Sequence, residues 1–249
     1  MLSFELSSNF GFFHWSKTKG DRRMTNLFIS RTEVLGILGA VIGLEGYVQQ
    51  NVRKKLKKKT KNEQKPFYEL LNGLDIAIIP KKKPHFFEDH LIHRSMKHIN
   101  SKGPLQVMMT GLINPTYKIV LSQGEVEDEI YEKIKFYLEN EWCEFVPYFG
   151  KNQFPLEISN FQKEGVHVDM NEDNVVLDSL FNQKDVVDTS RIYKSKLSKQ
   201  EFHFSESLKN FDADNLPNVV NEQVFWSSLG VTLNKDIYKT NDGERVVFL

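Results

Sequence analysis

The stretch Phe28 to Leu44, FISRTEVLGILGAVIGL, most constrains what this chain can fold into. It predicts one helix with a polar, basic start and an apolar, glycine-bearing body. Ser30 stands at the N-cap position and Glu33 follows three residues later, so Ser30–Glu33 reads as a capping box. The following VLGILGAVIGL is apolar on every face and predicts a buried helix rather than a surface one. Gly36, Gly39 and Gly43 fall at i, i+3 and i+7, on one side. Each costs about 1 kcal/mol relative to alanine inside a helix. Three together predict that another backbone, protein or nucleic acid, packs very close there, and the glycine face should let the helix lie close against the sheet. A bilayer span needs about 20 apolar residues; the run here is far shorter.

The 249 residues suffice for one large domain or two modest ones, and 40% hydrophobic content supplies a core. One cysteine, Cys143, excludes a disulfide framework and a cysteine-rich zinc site. It points to a reducing, cytoplasmic compartment. MLSFELSS carries a carboxylate where a signal peptide would be apolar. The net charge of zero conceals a split. Residues 1–124 hold 20 Lys and Arg against 9 Asp and Glu, which leaves the two halves at +11 and −11. Either an anionic partner on the first half or attraction between the halves would account for it.

In chain order, Leu2–Leu6 predicts a short strand. A long loop follows, Ser7 to Ile29, with Phe10, Phe12, Phe13, His14 and Trp15, then Lys17, Lys19, Arg22 and Arg23. Aromatics beside cations suit single-stranded nucleic acid, because rings stack on bases and cations track phosphates. The plainer alternative is a phenylalanine core under a solvated tip. A dense basic run, Arg53–Lys61, follows the helix. Gly73–Pro80 predicts a second strand. The next segment, 81–104, gathers Lys82, His85, Phe86, His90, His93, Arg94, Lys97 and His98. His90 and His93, at i and i+3, would share a face if helical. Metal binding is poorly supported there, with no cysteine nearby; phosphate contact or acid–base chemistry is open.

Leu105–Thr110, Thr116–Ser122 and Glu144–Tyr148 predict strands, and Val126–Leu138 a helix with an apolar face of Ile130, Ile134, Tyr137 and Leu138. Strand, helix, strand, strand, helix, strand is the split βαβ, ferredoxin-like pattern, here with a long insertion after its second strand. The expectation is an α+β chain. Residues 1–152 would form the ferredoxin-like domain and 153–249 a smaller β-rich domain. The latter would end in a hairpin turned by Asn241-Asp242-Gly243. No Walker A sequence, GxSxG elbow, HExxH or GxGxxG is present. A metal-free ribonuclease needs none of these.

Five stretches resemble the Cas five family of CRISPR-associated proteins, most closely its type I-B members. They are LSFELSSNFGFFHW, RTEVLGILGAVIGL, NPTYKIVL, VPYFG followed by Phe154, and DGERVVFL. They keep the family's order, and RTxxxGxxGAxxG is the most specific. The resemblance implies a RAMP-type, RRM-like fold with a thumb insertion at about 81–104. It implies a subunit of a Cascade surveillance complex that holds the 5′ handle of the CRISPR RNA and caps the backbone filament in antiviral defence. Its partners would be the Cas seven backbone subunit, the Cas eight large subunit and, within the complex, target DNA; no cofactor is implied. The RNA-binding candidates are Trp15, Lys17, Lys19, Arg22, Arg23, Arg31, Lys82, His85, Phe86, Arg94, Lys97 and His98. Arg31 would be aided by the helix N-terminus. Type I-C relatives cleave precursor RNA without metal. For that reading the candidates here are Tyr47, Lys97 and His98, since Lys118 has no adjacent histidine.

Overall fold

The structure, a computed structural model, describes residues 1–15, 22–46, 52, 66–93, 105–165, 167–169, 174–187, 200–211, 217–227 and 229–249. Its central layer is a four-stranded antiparallel sheet. In chain order the strands are β1 (Leu2–Ser7), β4 (Asp75–Pro80), β7 (Thr116–Ser122) and β8 (Glu157–Lys163), and their spatial order is β4-β7-β1-β8. Helix α1 (Arg31–Val41) links β1 towards β4, and α3 (Asp128–Glu139) links β7 to β8. A one-turn helix, α2 (Phe67–Leu71), precedes β4.

Alternation along the strands sorts the side chains between the two faces. Leu2, Phe4, Leu6, Ile76, Ile78, Ile119 and Leu121 face the helices, where they meet Val34, Leu35, Leu38, Ile134 and Leu138. Ala77, Ile79 and Val120 lie on the other face, under Val246, Tyr238 and Phe248 from the C-terminal segment. Both faces of β4 and β7 are therefore covered, which explains their nearly unbroken apolar sequences.

Helix α1 starts as expected. Ser30 Oγ accepts from the Glu33 amide, and the Glu33 carboxylate accepts from the Ser30 amide at 2.7 Å. The glycines behave differently from expectation. The helix stops at Val41, and Gly43 lies beyond it with φ of +79°. The Leu44 amide donates to the Gly39 carbonyl and the Gly43 amide to the Ala40 carbonyl, which closes the helix with a Schellman motif. Gly36 and Gly39 face Phe67 of α2, not the sheet; a Cβ on Gly39 would stand 2.8 Å from that of Phe67.

The fourth strand is also displaced. Glu144–Tyr148 forms no strand, and β8 takes the place expected for it, beyond residue 152. The C-terminal region adds β9 (His167–Asp169), β13 (Ile237–Lys239) and β14 (Arg245–Val246) in one sheet. It adds β10 (Phe181–Asn182), β11 (Gln200–Phe211) and β12 (Pro217–Ser227) in another. Val175, Phe181, Phe225, Leu233 and Val247 belong to their shared core. The expected Asn241–Gly243 turn forms, with Gly243 at φ +83° and its amide donating to the Thr240 carbonyl.

Lys118 points from β7 to the face opposite the helices. Its ammonium lies 2.8 Å from both Asp242 and Glu244 and 3.4 Å from Glu164, whose side chain is fully buried. Ser3 Oγ and the Asn241 amide complete the donors to Glu164. This cluster fastens the C-terminal turn to the central sheet.

Candidate nucleic-acid interface

The segment expected as one long loop is a strand excursion. After β1 the chain forms β2 (Phe10–Gly11), continues through Phe12–Trp15 and returns as β3 (Arg22–Met24). The Trp15 amide donates to the Met24 carbonyl at 3.0 Å and the Asn26 amide to the Phe13 carbonyl. The Phe13 amide donates to Thr25 Oγ1 at 2.9 Å. The insertion after β4 is likewise extended. β5 (His85–His93) and β6 (Leu105–Ile113) pair antiparallel over their whole length. β2 and β3 pair with β6, β2 antiparallel and β3 parallel. This second sheet holds most of the described candidate residues.

Pairing across it separates neighbours in sequence. Arg23, Asp89, Phe87, His85 and Phe10 share the face of Met109 and Ile113. Arg22, Met24, Glu88 and Phe86 share the opposite face, with Thr110. Arg22 and Arg23, adjacent in the chain, therefore cannot grip the same phosphate from one side. His90 and His93 lie in a strand, where i and i+3 fall on opposite faces, so the expected shared helical face does not exist.

On the Arg23 face, Phe12, Met109 and Phe154 are buried, with Phe87 packed against them. Phe10 remains 43% exposed, 5.2 Å from Phe87 and 6.0 Å from Phe154 between ring centroids. Phe12 stacks on the exposed His14 at 5.9 Å. The ammonium of Lys151 sits 4.6 Å above the Phe12 ring and 2.8 Å from Met109 Sδ. Burial first, and Arg23 second, hold its pKa below the usual lysine value; Asp89 pulls the other way.

The remaining candidates are scattered. Arg31 donates to Asn72 Oδ1 and to the carbonyls of Asn72 and Leu74, clamping the α1 start to the α2–β4 turn. Phosphate contact through it would break those bonds. Trp15 is partly buried behind β3, while Lys82 is exposed in the turn before β5. His85 is exposed, and Phe86 is 45% exposed. Lys17, Lys19, Arg94, Lys97, His98 and Tyr47 lie outside the described residues. Among the described residues there is no group of three or more His, Cys, Asp or Glu placed to hold a metal. None of their helices is long and apolar enough to cross a membrane. Sequence patterns do not mark Lys151, Phe87 or Phe154 as site residues. Their only signal is the alternation Phe10-Gly11-Phe12, which defines one strand face but says nothing of what lies across from it.

No family model and no curated protein matches this sequence. Solved structures do match its fold. A chain of a CRISPR RNA-guided surveillance complex aligns at a TM-score of 0.50 and 12% identity, over 92% of this chain and 91% of its own length. A chain of the type III-B Cmr-beta complex, bound to cognate target RNA and AMPPnP, aligns at 0.51 and 9%, over 93% and 86%. A CRISPR protein from Archaeoglobus fulgidus covers 100% and 99% at 0.46 and 14%. At these identities the likeness is one of fold. The first two show that this chain shares its α+β fold with those chains.

Proposed function

We propose that this chain is a non-catalytic RNA-binding subunit of a type I CRISPR surveillance complex, a Cas five protein of the type I-B kind that holds the 5′ handle of the CRISPR RNA. The observation that carries this reading is the second sheet. It gathers Arg22, Arg23, Lys151 and exposed aromatics within a fold shared with chains of CRISPR complexes. Single-stranded RNA is recognised by stacking unpaired bases on aromatic rings while cations follow the backbone. The spatial strand order fourth, first, third, second, with a helix in each crossover, supports a ferredoxin-like core. The β5–β6 hairpin then occupies the place of the thumb.

Protein partners are part of the same reading. Trp142, Phe145, Val146 and Tyr148 are all exposed beyond α3. A groove of about 680 Å³ opens beside Gly36, Ala40, Phe67 and Phe145. Contiguous exposed apolar surface marks interaction sites, and we assign it to a neighbouring Cas subunit, Cas seven or Cas eight. Lys118, on β7 of the central sheet, is held by three carboxylates, which favours a structural over a nucleolytic role for it. Purified protein incubated with repeat RNA in EDTA is expected to leave it intact. Specific cleavage abolished by His98→Ala would establish the endoribonuclease alternative instead. The direct test of RNA binding is Arg22→Ala/Arg23→Ala in the assembled complex. The double variant is expected to weaken handle RNA binding and to flatten its salt dependence by about 0.7 for each phosphate no longer neutralised.

A further inference from the structure

We propose that Arg23 and Lys151 form a phosphate seat at one end of an aromatic path, and that a single RNA strand crosses this face of the second sheet with a base stacked on Phe10. The inference rests on the RNA-binding reading and adds the face, the path and two residues, Lys151 and Phe10.

The first ground is charge. Lys118, Lys81, Lys135, Lys163 and Lys235 each have a carboxylate within ion-pair distance. Neither Arg23 nor Lys151 has one among the described residues. Asp89 shares their face and attracts Lys151 without closing an ion pair. Both cations adjoin Met109, Arg23 as its register partner on β3 and Lys151 with its ammonium 2.8 Å from Met109 Sδ, over the ring of Phe12. Like charges in a partly desolvated site are unfavourable until an anion arrives. A phosphate between them would relieve the repulsion and gain charge-assisted hydrogen bonds from both.

The second ground is shape. Phe12, Phe154, Phe87 and Phe10 form a connected cluster that runs from beneath Lys151 to the exposed Phe10 ring. Phe10 meets Phe87 edge to face, at 71° between ring planes. Cations at one end and an open ring at the other match a nucleotide's phosphate and base. An acidic peptide would use the cations and leave the ring without a role. Duplex RNA keeps its bases stacked on one another and could not use the ring.

The test is fluorescence anisotropy of the full chain with a fluorescein-labelled twelve-nucleotide single-stranded RNA, over a salt series, against a duplex of the same length. Lys151→Gln is expected to weaken single-strand binding and lower the slope of log affinity against log salt by about 0.7. Lys151→Arg is expected to restore both. Phe10→Ala is expected to weaken binding at least fivefold with the slope unchanged. Phe10→Leu keeps apolar contact but removes the ring, and it should weaken binding as much, so a folding defect cannot imitate the effect. Lys163→Gln, a lysine paired with Glu139, should bind as the parent does. If the parent chain binds but Lys151→Gln and Phe10→Leu bind equally well, the strand crosses elsewhere and this inference falls while the RNA-binding function stands. Equal binding of duplex and single strand overturns the stacking path. A parent chain that binds no RNA at low salt removes both proposals.

Discussion

Lys118 shows how much one buried side chain can organise. Burial opposes its charge, but hydrogen bonds to Asp242 and Glu244 outweigh that, and its pKa lies above the usual lysine value. Burial likewise opposes the charge of Glu244, yet Lys118 and Lys81 hold its pKa below the usual carboxylate value. The two shifts act at opposite ends of the pH range. The lysine contribution is complete below about pH 10.4, its unfolded value, and is lost as pH rises through the higher folded one. The Glu244 contribution is present above about pH 4.3 and is lost as pH falls through the folded value. Urea midpoints across pH should therefore form a plateau that falls at both ends. Lys118→Met leaves three carboxylates facing one another, one fully buried. It should cost about 3 kcal/mol, and its melting midpoint should recover in part as acid neutralises them. The lysine is visible in the sequence, but its partners lie far along the chain, and spacing gives no hint of them. The same holds for Lys151, whose setting is made by Phe12 and Met109.

At the scale of elements, what is local is legible. The Ser30–Glu33 box depends on four consecutive residues, and β7 occupies the expected Thr116–Ser122 because its side chains alternate between two apolar layers. Ser30→Ala should lower stability by about 1 kcal/mol in thermal melts. β3 is illegible because Arg22-Arg23-Met24 has no strand character of its own and is extended by pairing with β6. β8 is hidden because Asn160, at φ +54° near a register shift, interrupts the period of two between Ile158 and Phe161. The glycines of α1 do mark a close approach, but to Phe67 rather than to the sheet. Gly39→Ala gains about 1 kcal/mol of helix propensity, and its Cβ meets the Phe67 Cβ at 2.8 Å. Overpacking costs about 1–3 kcal/mol and should prevail. Denaturant titrations should find Gly39→Ala destabilised, and in a Phe67→Gly background, which lacks the facing Cβ, the same substitution should reverse the sign of its effect.

Across the whole molecule, the C-terminal segment is part of the central layer. Val246 and Val247 are buried, one beneath the sheet and one in the second core. Ending the chain after Glu244 removes both and should cost about 3–6 kcal/mol at about 1.5–3 per buried side chain, measured as a lower urea midpoint. The −11 half thus supplies both a cover for the sheet and the carboxylates around Lys118, so part of the charge split is internal pairing.

The same cover closes an edge. The Leu180 amide donates to the Ile78 carbonyl and the Leu249 amide to the Ile76 carbonyl, so β4 has these outward acceptors occupied. At the other end, β8 is kinked at Asn160. A sheet capped on one side and bent on the other offers no straight ladder for a foreign strand to join. Whatever assembles with this protein must recognise its side chains and its hairpin, and many copies can be held at high concentration without zipping together through the backbones of this sheet.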